Sequence, residues 1–177
     1  METTVLLARH GETDWNRQLR CQGHTDVPLN EAGRHQARDL AERLRPLPLA
    51  AVYSSDLQRA LVTARTAAEP HRLPVLPLVD LRERAMGLWE GLTMEDRRRR
   101  WPRQSLLWEQ GDRHVDGLDM EPFEDLTSRL VRAVGNAAAQ HPGRTILMVT
   151  HGAACSPCWT TWGRPGRSAA HSSKTVP

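Results

Sequence analysis

Two short apolar runs in this chain end in the same way. Val5-Leu6-Leu7-Ala8 passes directly into Arg9-His10-Gly11, and Ile146-Leu147-Met148-Val149 passes into Thr150-His151-Gly152. Continuous apolar runs of four to eight residues, closed by a turn residue, read as strands buried on both faces, as in a parallel sheet covered by helices. Open sheets of that kind build their sites where the strands end. Each run therefore carries a histidine, one near either end of the chain, to a place suited to chemistry.

Between these junctions the pattern alternates. Asn30 is placed to cap a helix whose apolar positions are Ala37, Leu40, Ala41 and Leu44, and Pro46 and Pro48 end it. Ala51–Ser54 reads as a short buried strand. It precedes a helix with Leu57, Ala60, Leu61 and Ala64 on one face and Arg59 on another, in the first turn, within reach of the rim that holds His10. Residues 74–79, broken by prolines, give a strand that is short or at an edge. From Thr93 the signals are all helical: Met94 towards Arg100, a segment around Leu106–Glu109, and Glu124–Gln140 with Phe123, Leu126, Leu130 and Val134 at helical spacing. The expectation is an α/β fold of three α/β/α layers around a mostly parallel sheet. Residues 93–120 form a helical insertion over the C-terminal ends of the strands. At 177 residues the chain fits one domain, 1–177, with one core.

Charge narrows the chemistry. The formal net charge is +3, and Lys174 is the sole lysine. An anion site before it must use arginine, histidine or backbone N–H groups, which excludes a P-loop. The run Arg97–Arg100 points around most of a helix rather than along one stripe, so it reads as a solvated face and not as a nucleic-acid surface. One or two of its members could reach a pocket mouth. No run of about 18 apolar residues and no basic-then-apolar leader is present, so the expected location is cytoplasmic, with no membrane partner. Cys21, Cys155 and Cys158 make no disulfide framework, Cys155-x-x-Cys158 lacks a thioredoxin-like setting, and no zinc pattern occurs. The polar stretch holding Asn16, Arg17, Gly23, His24 and Asp26 reads as a long functional loop beside His10.

Five groups of residues, in order, carry a resemblance. Arg9-His10-Gly11-Glu12-Thr13 with Asn16 is followed by Asp26-Val27-Pro28-Leu29 with Gly33, Gln36 and Ala37. Ser54-Ser55-Asp56-Leu57-Gln58-Arg59-Ala60 comes next, then Leu81-Arg82-Glu83 with Gly87-Leu88-Trp89-Glu90-Gly91, and finally Thr150-His151-Gly152. Together, over residues 5–154, they resemble the histidine phosphatase superfamily, the phosphoglycerate mutase-like fold. The resemblance implies a phosphohistidine mechanism. His10 is the nucleophile, Arg9, Arg59 and His151 surround the phosphoryl oxygens, Asn16 and Gly23 contribute to substrate binding, and Glu83 is the acid and then the base. A carboxyl group that donates a proton near neutral pH needs burial or negative neighbours. Arg82 and Arg84 flank Glu83, and in an extended segment they would point to the opposite side. No metal or cofactor is implied.

The resulting expectation is a phosphatase acting on small phosphorylated metabolites, as a monomer or homodimer. A cofactor-dependent phosphoglycerate mutase is an alternative, set aside because the segment after Glu83 is compact and lacks lysine. A catalytically weak domain that binds phospholigands or proteins is another. From Cys155 to Pro177 there is no Leu, Ile, Asp or Glu. The composition breaks there, and Ser156-Pro157 and Thr175-Val176 suit neither the helix nor the strand that the family would place in this atypical tail.

Overall fold

The computed structural model describes residues 1–153 and, for backbone alone, 173–175. Its centre is a sheet of five strands: β1 (Thr4–Arg9), β2 (Leu49–Ser54), β3 (Val75–Pro77), β4 (Thr145–Thr150) and β5 (Ser173–Thr175). The order is β3-β2-β4-β1-β5, and every pairing is parallel. The proline-broken strand β3 lies at one edge, where a missing N–H is tolerated. The expected three-layer α/β/α architecture is present.

The period-2 alternation of β4 explains the layers. Ile146 and Met148 face α6 (Phe123–Ala139) and pack with Leu126, Leu130 and Ala137. Leu147 and Val149 face the other way, towards α2 (Glu31–Leu44) and α3 (Gln58–Ala68), and pack with Leu44, Ala60 and Ala64. All four β4 side chains are fully buried, and each such burial is worth roughly 1.5–3 kcal/mol. The four central residues of the strand are all apolar because neither face there meets solvent.

Asn30 caps α2 by accepting from the Gly33 N–H at 2.8 Å. Thr93 caps α4 (Met94–Arg100) in a reciprocal capping box with Asp96. Together with α5 (Pro102–Glu109) and the loop that follows, α4 forms the expected insertion. It has its own small core, in which Met86, Trp89, Val115 and Leu118 are buried.

Two expectations are corrected. The stretch after β1 is not loop throughout: Asp14–Arg17 forms a single helical turn, α1, because Thr13 and Asn16 cap each other. Near the C-terminus, Ser173–Thr175 does pair with β1 as a strand, opposite Val5, Leu6 and Leu7. Backbone pairing needs no apolar pattern. Cys155 and Cys158 lie outside the described residues.

Candidate active site

β1 and β4 are neighbours with Arg9 opposite Thr150, so the residues that follow them emerge side by side. The His10 N–H donates to the Thr150 carbonyl at 3.0 Å. The imidazoles of His10 and His151 meet edge to face with ring centres 5.1 Å apart, and both are buried.

His10 Nδ1 lies 2.7 Å from the Gly11 carbonyl. A carbonyl only accepts, so Nδ1 carries the proton and Nε2 keeps its lone pair. Burial lowers the His10 pKa to about 3; the Gly11 contact opposes this, and the charges of Arg59 and Arg9 add to it. The ring is a neutral imidazole with one free nitrogen, the form that a nucleophile requires.

Arg59, in the first turn of α3, has no exposed surface. It donates from Nη1 to the Thr25 carbonyl at 2.8 Å, from Nη2 to the Gly23 carbonyl at 2.8 Å and from Nε to His151 Nδ1 at 3.3 Å. His151 therefore holds its proton on Nε2, and that buried N–H has no acceptor among the described residues. Burial and the charge of Arg59 hold its pKa well below the ordinary histidine value. The ring is neutral and offers a donor beside His10.

Glu83 enters from the segment before the insertion. Its Oε1 accepts the Arg84 N–H at 2.8 Å and its Oε2 the Ala153 N–H at 3.2 Å. A Cβ placed on Gly152 would stand 3.6 Å from both Glu83 Oε2 and Arg9 Cζ. A carboxyl and a guanidinium group therefore face one space beside Gly152. Arg9, His10, Asn16, Gly23, Arg59 and Glu83 all line a cavity of about 360 Å³, with His151 buried against Arg59 and His10. Asn16 uses Oδ1 to accept from the Thr13 N–H at 3.0 Å while lining the cavity.

The expected direction of Arg84 is corrected. Arg82 does turn away, onto Asp56 at 2.7 and 2.5 Å. Arg84 instead lines the same cavity as Glu83, because the carbonyls of Glu121 and Arg113 hold its guanidinium at 2.6 and 2.9 Å in a segment that is not a strand. Of the four arginines at 97–100, Arg97 is the one that reaches the cavity; Arg98 and Arg99 pair with Glu109 and Asp96.

Two residues organise the site in ways that the sequence motifs do not reveal. Glu90 accepts the N–H groups of His24, Thr25 and Met86 and the Thr25 hydroxyl at 2.6–3.0 Å, which fixes the loop whose carbonyls hold Arg59. Burial pushes its carboxyl up, but these bonds outweigh it and keep the pKa below the ordinary range. Arg129 donates to the carbonyls of Asp80, Arg82 and Glu83 at 2.7–2.8 Å and pairs with Glu121. Cys21 also lines the cavity, but burial pushes its thiol up to about 12, so it is no rival nucleophile at neutral pH. Among the described residues no cluster of three or more His, Cys, Asp or Glu is placed to hold a metal ion, and no helix is long and apolar enough to cross a membrane.

A parallel α/β/α sandwich with two histidines at adjoining strand ends defines a phosphoglycerate mutase-like protein. The chain belongs to the histidine phosphatase superfamily (branch 1), which it matches over residues 5–172, further than the 5–154 expected. It is 38% identical over 154 residues to the phosphatase PhoE of Bacillus subtilis, covering 86% of this chain and 73% of that protein. It is 39% identical over 157 residues to a metal-independent phosphoserine phosphatase of Arabidopsis thaliana, covering 85% of this chain and 64% of that one. Its fold resembles that of YhfR from Bacillus stearothermophilus with a TM-score of 0.85 and 37% identity, over 90% of this chain and 79% of that chain.

Proposed function

We propose that the protein is a phosphomonoesterase that works through a phosphohistidine on His10. The observation that carries this reading is the pair of opposite imidazole tautomers: His10 has its lone pair on Nε2, and His151 has its proton there. One ring can attack phosphorus while the other donates to a phosphoryl oxygen.

In the first step His10 Nε2 forms a bond to phosphorus, the bond to the ester oxygen breaks, and Glu83 gives its proton to the leaving oxygen. Arg9, Arg59 and the His151 N–H meet the equatorial oxygens, with Asn16 as a further donor. Fixed donors aimed at developing charge are usually the largest catalytic contribution. In the second step Glu83 takes a proton from water, which displaces phosphate from His10. Guanidinium groups do the charge balancing that a metal ion does in other phosphoryl-transfer sites. A small phosphorylated metabolite suits a cavity of about 360 Å³.

Phosphate release from p-nitrophenyl phosphate in the presence of EDTA tests the reading, with His10→Ala as control. Chelator-resistant turnover lost in the variant, by roughly 10⁴-fold or more for a nucleophile, supports it. Turnover that survives the substitution refutes the His10 mechanism. Isomerisation of phosphoglycerates without hydrolysis would replace this reading with that of a mutase.

A further inference from the structure

The peptide unit that joins Glu83 to Arg84 is held at both of its polar ends. Its carbonyl accepts from His24 Nε2 at 2.7 Å and from Arg129 Nη2 at 2.8 Å, which occupies both lone pairs. Its N–H donates to Oε1 of Glu83's own carboxyl group at 2.8 Å. A trans peptide is planar, with its C=O and N–H pointing opposite ways, so whatever fixes the carbonyl also fixes the direction of that N–H. The two donors on the carbonyl therefore aim the carboxyl group from the far side of the peptide plane.

The two donors act differently. Arg129 spreads over the carbonyls of Asp80, Arg82 and Glu83 and so ties the whole segment to α6. His24 meets the Glu83 carbonyl, and a carbonyl only accepts, so the His24 ring carries its proton on Nε2. The imidazole projects from the loop that Glu90 fixes, in part through the His24 N–H at 2.9 Å. The carbonyls on either side of His24, those of Gly23 and Thr25, are the ones that hold Arg59. One short loop thus reaches a phosphoryl-site guanidinium with its backbone and the acid–base residue with a side chain.

With Oε1 engaged by the Arg84 N–H, Oε2 is the oxygen left to the space that Glu83 shares with Arg9. It accepts the Ala153 N–H at the longer distance of 3.2 Å, and it would stand 3.6 Å from a Cβ on Gly152, as would Arg9 Cζ. We propose that His24 is a positioning residue for Glu83 and that Oε2 is the oxygen that handles the proton; this rests on the reading of Glu83 as acid and base. As His10 Nε2 bonds to phosphorus and the bond from phosphorus to the ester oxygen breaks, the proton leaves Oε2 for that oxygen. In the second step Oε2 takes a proton from the attacking water, whose oxygen bonds to phosphorus as the bond from phosphorus to Nε2 breaks.

Two variants and two esters test this. His24→Leu removes the donor, with His24→Ala in its place if that chain does not fold, and His24→Gln keeps an N–H donor at the end of the side chain. Departure of an alkoxide needs the Glu83 proton, whereas departure of nitrophenolate does not. In His24→Leu, kcat/KM for glycerol 3-phosphate should therefore fall about tenfold or more, while that for p-nitrophenyl phosphate stays within about twofold of native. His24→Gln should recover most of the loss. Hydrogen exchange of the Arg84 amide, read by NMR, should quicken about tenfold or more in His24→Leu and stay near native in His24→Gln. An equal fall on both esters would assign His24 to the Arg59 loop alone, and an Arg84 amide that exchanges at the native rate in His24→Leu would leave Glu83 positioned by Arg129; either result, or no fall on either ester, overturns the proposal. Glu83→Gln separates this from the reading beneath it. If that variant leaves the ratio of the two esters native, or the native chain turns over neither ester, the acid role falls, and the Arg84 amide still decides whether His24 positions Glu83.

Discussion

Arg59 Nε donates to His151 Nδ1 at 3.3 Å, and neither side chain has exposed surface. The bond sets the tautomer of His151, and the other two donations from Arg59, to the Gly23 and Thr25 carbonyls, set the position of Arg59 itself. A lysine retains the charge but has no planar fork with which to meet all three partners. Arg59→Lys should therefore lower kcat/KM for p-nitrophenyl phosphate by about 100-fold or more. A loss below threefold would remove Arg59 from the phosphoryl site.

The neutral state of His10 has a consequence for stability. Its pKa in the folded protein is about 3, against about 6.5 when unfolded. Between these values the unfolded chain binds the extra proton, so stability is fully present above about pH 6.5 and is lost as pH falls towards 3. His151 acts in the same direction. The urea midpoint should fall from pH 7 to pH 4.5, and His10→Gln should fall less over that interval. A native midpoint that is flat or rising would contradict the buried neutral imidazole.

Glu83 is assigned two proton transfers, and leaving groups separate them. Nitrophenolate leaves without help, whereas an alkoxide needs the proton. Glu83→Gln should reduce hydrolysis of alkyl phosphates by roughly 10²–10⁴-fold. With p-nitrophenyl phosphate it should give a burst of nitrophenol followed by slow turnover, with acid-labile phosphate accumulating on the protein. Equal losses on both ester classes with no burst would assign Glu83 to binding instead.

The apolar runs of β1 and β4 and the cap at Asn30 made most of the fold legible from sequence, because each is a local signal. The same runs pointed to His10 and His151 as candidate site residues, while Arg59 and Glu83 needed the order of the surrounding motifs. The rest depended on distant partners. Glu90 matters because it meets His24 and Thr25, 66 and 65 residues away, and Arg129 because it clamps the carbonyls of Asp80, Arg82 and Glu83. The direction of Arg84 misled the alternation rule because its segment is not a strand, and α1 is four residues long, too short for helical periodicity to register.

Gly33 joins fold and site most closely. It lies in the first turn of α2, where a Cβ would meet the Glu12 carbonyl oxygen and stand 2.7 Å from the Glu12 nitrogen. Gly11 is equally closed, since its Cβ would stand 2.9 Å from the Gly33 carbonyl carbon and Cα. The backbone after His10 therefore packs directly on α2, and that backbone carries the Gly11 carbonyl that sets the His10 tautomer. Backbone cannot rotate aside as a side chain can, so Gly33→Ala must push α2 and residues 11–12 apart. We expect a stability loss of about 1–3 kcal/mol by denaturant unfolding. Because the displaced segment orients His10, kcat should fall while KM for p-nitrophenyl phosphate changes less, since Arg59 is held from the Gly23–Thr25 loop instead. A stable variant with native kcat would show that the orientation of His10 is set elsewhere.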